Sequence, residues 1–97
     1  PCVIIITSPK NLGPYGLLDC GAFITALTLA ATAIGIASIP QAAIAGVAPV
    51  VREFLGLSST RDIVCAVSLG YPDVNNPVNK FRTTRANEQY LIKENIT

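Results

Sequence analysis

The sequence predicts an α+β chain, a layered sandwich in which one long helix packs on a sheet that these residues supply only in part. Two continuous apolar runs, CVIIIT at Cys2–Thr7 and DIVCAVSL at Asp62–Leu69, have the character of strands covered on both faces. Between them, Leu17–Ile36 carries no proline and only one charge, Asp19, as a long buried helix would. The 97 residues suffice for one domain, yet 51% are hydrophobic and 13% charged, against roughly 25% charged in ordinary soluble proteins. A small monomer has too little interior for that much apolar surface, so further chain, another subunit or lipid must cover the excess.

Taken in order, the first strand ends at Ser8-Pro9 and, being apolar on both faces, is expected in the middle of a sheet. Asn11, Gly13, Pro14 and Gly16 mark Lys10–Gly16 as a loop. Asp19 is then placed to cap the helix Leu17–Ile36. Phe23, Leu27, Ala30 and Ile34 form a bulky stripe on it, and Gly21, Thr25, Thr28, Thr32 and Gly35 a stripe of small residues. Both stripes are suited to packing, which makes this the central helix. Ala37–Pro40 breaks the pattern and Gln41–Gly46 can form a short helix. Pro49 is well placed to open another helix, Pro49–Leu55, which Gly56 stops. Ser58–Arg61 connects to the second strand, and beyond Gly70 the chain turns polar, with 76–97 as an extended tail. Two strands are too few for a covered sheet, so the remaining ones are expected from outside these residues.

Several function classes are disfavoured. The net charge is +1 and there is no basic stripe interleaved with aromatics, which argues against nucleic-acid binding. Three cysteines without CxxC spacing, and no histidine, argue against zinc and against a His-activated nucleophile. Buried free thiols suit a reducing, cytoplasmic setting. The absence of charge between Asp19 and Arg52 raises a membrane span. Against that stand an Ala/Thr-rich composition, the lack of flanking Lys/Arg clusters and Trp, and breaks at Pro40 and Pro49. Pro1–Thr7 lacks the features of a signal peptide. A chain that begins at Pro1 and contains no Met is expected to be the C-terminal portion of a longer one.

Two places can hold chemistry. Lys80, Arg82 and Arg85 gather three of the seven basic residues after the turn Pro72-Asp73 and the Asn75-Asn76-Pro77 stretch. In an extended segment Lys80 and Arg82 point the same way and can close on one phosphate, a point charge beside a planar fork. Arg85 would project to the other side and can serve a second contact or an ion pair with Glu88. On spacing alone the plainer reading, a solvated surface loop, stays ahead. The second place is Ser38–Ala43, where a proline turn into a helix start presents backbone N–H groups to electron-rich atoms. On pattern alone this also reads as an ordinary connection. The carboxylates are scattered, so any enzyme here leaves the hard chemistry to a cofactor.

The segments DCGAFITALTLAATAIGI, IPQAAIA, VVREFLGL and LGYPDVNNPVNKFRTTR, in this order and at these separations, resemble the C-terminal half of the FMN-dependent nitroreductase-like flavoproteins. The likeness runs from about Pro1 to Arg85, while Ala86–Thr97 matches loosely. It implies that residues 1–97 are the C-terminal part of one nitroreductase-like α+β domain, the central helix plus two core strands, within a homodimer that holds FMN at its subunit interface. It further implies a two-step hydride relay from NAD(P)H through flavin N5 to a small acceptor such as a nitroaromatic or quinone, with no role for nucleic acid or membrane. By position, Lys80 and Arg82 match the basic pair that meets the FMN phosphate and ribityl chain. Pro40, Gln41, Ala42 and Ala43 match the segment whose backbone N–H groups approach the N5 edge. The family's arginine-rich phosphate-binding stretch is not among these residues, so at most half a flavin site is expected. The alternative implied is a truncated or degenerate piece with a structural, dimerising role and no activity of its own.

Overall fold

The computed structural model describes residues 1–88. Its sheet has three strands, β1 (Cys2–Pro9), β2 (Ala37–Gln41) and β3 (Arg61–Gly70), in the order β1-β3-β2, with both pairings antiparallel. The long helix α1 (Gly13–Ala33) connects β1 to β2, and a 3-10 segment (Ala42–Val47) followed by α2 (Ala48–Leu55) connects β2 to β3.

The middle of the sheet belongs to β3, whose β-branched and small residues pair on both sides. Val67 is completely buried, and with Ile6, Cys20 and Cys65 it forms the core, flanked by Ile4, Ile24, Leu27, Val64 and Leu69. The register along β1 runs from Cys2 opposite Leu69 to Ile6 opposite Cys65, then shifts so that Thr7 faces Ile63. Val64 is the extra residue of this bulge.

Several sequence expectations need correction. Among the described residues β1 is an edge strand, not a central one, and its outer half is bare, with Val3 and Cys2 exposed. Two thiols, Cys20 and Cys65, are buried as expected, but Cys2 is exposed. The expected loop Lys10–Gly16 is a 3-10 turn (Lys10–Leu12) followed by the first turn of α1, because Pro14 falls where a missing N–H leaves no helical bond unmade. Asp19 therefore lies inside the helix and does not cap it. At the other end, Ile36 N–H bonds to Ala31 O (2.9 Å) and Gly35 N–H to Thr32 O (3.1 Å), with Gly35 at φ 78°. This glycine-terminated reversal ends the helix three residues sooner than expected.

The most consequential miss is β2. Pro40 gave the segment the look of a break, but among the described residues β2 is an edge strand, where a residue without an N–H is tolerated. A third strand thus comes from within the chain. Residues 42–47 are a 3-10 segment, so Gln41 belongs to the strand and not to a helix. The helix at 48–55 starts one residue before Pro49 and stops at Gly56 as expected.

Neither stripe proposed for α1 is its buried face. Gly16, Cys20 and Ala31 are buried, with Ile24 and Leu27 between them. Phe23 and Ile34 are 54% and 73% exposed. In the small-residue stripe, Thr25 Oγ1 donates to Gly21 O (3.0 Å), Thr28 Oγ1 to Thr25 O (3.0 Å) and Thr32 Oγ1 to Thr28 O (2.9 Å). With their hydroxyls satisfied inside the helix, these threonines present mostly methyl groups and can be covered without losing a hydrogen bond. By length and composition Lys10–Ala33 could cross a membrane, but here the helix lies along the sheet.

Two arginines tie α2 to the far end of the sheet. Arg61 Nε donates to Thr7 Oγ1 (2.8 Å) and its Nη2 to Thr7 O (3.0 Å), across the β1–β3 pair. Arg52 Nη2 donates in turn to Arg61 O (2.7 Å). These cations are half-buried and serve the fold.

Candidate functional site

Past Gly70 the chain folds into a knot of local bonds. Asp73 Oδ1 accepts from Asn75 N–H (3.1 Å), and Asn79 Nδ2 donates to Asp73 O (2.6 Å). Asn76 Oδ1 accepts from Val78 N–H (3.1 Å), capping a 3-10 turn at Pro77–Lys80 in which proline opens the turn. The extended geometry expected around Lys80 and Arg82 is therefore not found. Lys80 is the last residue of a turn, and the chain becomes extended at Phe81.

Arg82 folds back on this knot. Its Nη1 donates to Asn79 O (2.8 Å) and to Phe81 O (2.8 Å). Both bonds use one nitrogen, so the Nε–Nη2 edge, which meets a carboxylate or phosphate as a fork, has no protein partner among the described residues. Arg85 donates to Thr83 Oγ1 and to Thr84 O, and of the two expected roles the ion pair with Glu88 is not formed among the described residues.

An open groove of about 690 Å³ joins Arg82 to the reversal after α1. Thr32, Gly35, Ile36, Ala37, Ser38 and Pro72 line it together with Arg82. A second groove of about 280 Å³ lies alongside, with Asn79 facing Ala37, Ile39 and Ser68. The 70–82 segment is thus laid against the start of β2. Gln41 ends that strand three residues beyond Ser38, roughly 10 Å further along. Pro40, Gln41, Ala42 and Ala43 are all exposed.

Gln41 precedes the 3-10 segment without capping it. Its Oε1 instead accepts from Ser68 Oγ on β3 at 2.9 Å. The first-turn N–H groups at Ala42 and Ala43 have no intrahelical acceptor, as at any helix start. Sequence reasoning missed Thr32 and Ser68 beside the site, whereas Ser38 heads the Ser38–Ala43 candidate. Thr32 falls in the small-residue stripe of the helix and Ser68 in a continuous apolar run, so neither carries a signal of its own in the sequence.

The family model described as Nitroreductase matches residues 1–71. The chain belongs to the nitroreductase family. It is 39% identical over 85 residues to a 4-nitrobenzoate reductase from Pseudomonas putida, an alignment covering 88% of this chain and 37% of that protein. It is 38% identical over 86 residues to the nitroreductase NfnB of Mycolicibacterium smegmatis, covering 89% of this chain and 36% of that one. The crystal structure of the FMN-dependent NfnB from Mycobacterium smegmatis in complex with NADPH superposes with a TM-score of 0.87 at 34% identity, over 97% of this chain and 42% of that chain. The FMN- and NADPH-dependent NfnB from sphigopyxis sp. strain HMH shares the fold at a TM-score of 0.92 and 24% identity, over 98% of this chain and 43% of its own. The nitroreductase fold is thereby established for these residues, which span about two-fifths of the length of the relatives they match.

Proposed function

We propose that these residues are part of an FMN-dependent oxidoreductase that uses NAD(P)H to reduce nitroaromatics, quinones or related small acceptors. On this reading it works in the cytoplasm as a homodimer. The observation that carries the reading is likeness to nitroreductases in sequence and fold together, at 39% identity to one relative and a TM-score of 0.87 to another.

The donor set fits the cofactor. An elongated ligand with an anionic end and an electron-rich ring needs a cation at one place and neutral donors at another. Arg82 has a guanidinium edge without a partner among the described residues, beside the groove at Ser38, and Lys80 is exposed two residues away. The Gln41–Ala43 corner, about 10 Å along β2, supplies backbone N–H groups on small residues that a ring can approach closely. When bound, the flavin would accept and return a hydride at its ring. The chain's part is to hold the phosphate through Lys80 and Arg82. At the ring edge it would set donors where negative charge builds up, which is oxyanion-hole logic applied to a ring.

The test is the absorbance spectrum of the purified full-length protein. A bound flavin is expected, bleached by NADH or NADPH and restored by a nitroaromatic or a quinone. A colourless protein, unchanged by added FMN, would overturn the reading in favour of a structural, dimerising role.

A further inference from the structure

Ser68 and Gln41 lie on the paired strands β3 and β2. Ser68 is opposite Ile39 and Gln41 is opposite Ala66, so the two are diagonal neighbours on one face of the sheet. Ser68 Oγ donates to Gln41 Oε1 at 2.9 Å. A primary amide has an acceptor branch and a donor branch set about 120° apart on one trigonal carbon. With the oxygen held by Ser68, the Nε2 branch is turned away from it, and Nε2 makes no hydrogen bond among the described residues. Gln41 is exposed, so without this tether its long side chain would sample many rotamers.

We propose that Ser68 is a positioning residue for the flavin-edge site, acting by fixing the Gln41 amide so that Nε2 serves as a side-chain donor beside the backbone N–H groups of Ala42 and Ala43. The proposal rests on the FMN reading above. A neutral donor held there gains most when the ring edge becomes negative, so it stabilises reduced over oxidised flavin. Ser68 meets no ligand itself. Its effect passes through the orientation of Gln41.

The experiment is redox titration of bound FMN in the full-length protein and its variants, with the melting temperature measured alongside. Ser68→Ala is expected to retain flavin and shift the oxidised-to-reduced equilibrium about fivefold toward oxidised, ~20 mV for a two-electron couple. Ser68→Thr, which keeps the hydroxyl on a strand-favouring residue, is expected to restore the wild-type potential. Gln41→Leu should reproduce the shift, and adding Ser68→Ala to it should add nothing. A Ser68→Ala protein with bound flavin at the wild-type potential overturns the proposal and leaves the FMN reading standing. So does a further shift on adding Ser68→Ala to Gln41→Leu, or an equal shift in Ser68→Thr. Wild-type protein that holds no flavin overturns both.

Discussion

At the scale of single residues, the basic side chains divide by what they touch. Arg52 and Arg61 spend their donors on backbone and Thr7, fastening α2 and the sheet end. Arg82 spends one nitrogen on two carbonyls and keeps a fork edge, held in place by the same bonds that occupy Nη1. A fork already oriented loses less freedom on meeting a phosphate than a free side chain does. Charge-assisted bonds contribute roughly 1.5–3 kcal/mol each. Replacing Lys80 and Arg82 together by alanine in the full-length protein is therefore expected to weaken FMN retention by several kcal/mol, on the order of a thousandfold in Kd, as read by fluorescence titration. Unchanged affinity would remove both residues from the phosphate site. The pair was legible in the sequence as a charge cluster, but its geometry was not. Spacing of i and i+2 orients side chains only if the backbone is extended, and the Asn76 cap and Pro77 wind it into a turn.

At the scale of elements, α1 is seated on β1 through an unusually close contact. A Cβ added at Gly16 would stand 2.1 Å from Ser8 Oγ and 3.0 Å from Leu12 Cβ, so glycine is what lets the helix approach the strand. Ser8 is itself only 5% exposed and has little room to turn aside. Gly16→Ala is expected to destabilise by about 1–3 kcal/mol, as overpacking does, measured from the urea midpoint of the full-length protein. A gain in stability from better helix propensity would show that Ser8 yields freely. This contact could not be read from the sequence, where Gly16 closed a loop-like run with Gly13 and Pro14. The two long apolar strands were legible because burial on both faces leaves a continuous run. β2 was not, because an edge strand can hold Pro40 and buries little. The helix was legible in its middle, where charge and proline are absent, and shifted at both ends, where Pro14 opens it and Gly35 closes it.

At the scale of the whole molecule, the composition already pointed to missing cover, and the structure gives it a size. The accessible surface is 7887 Å², whereas a compact monomer of 10.2 kDa should expose roughly 5,300 Å². The radius of gyration is 17.0 Å, against about 13 Å for a compact domain of this length. An excess of this kind is what an uncovered face adds to a small chain. Much of it is apolar, including Leu18, Phe23, Leu29 and Ile34 along α1 and Tyr71, Val74, Val78 and Phe81 around the candidate site. Isolated from the rest of its protein, the 97-residue chain is thus expected to self-associate and bind a hydrophobic dye. It should also fail to hold FMN, because an open groove and one basic pair leave most of an elongated ligand in water. Analytical ultracentrifugation and equilibrium dialysis against FMN would measure both. A monodisperse monomer that binds FMN at micromolar concentration would mean that these residues form a complete site, contrary to the half site expected from the family resemblance.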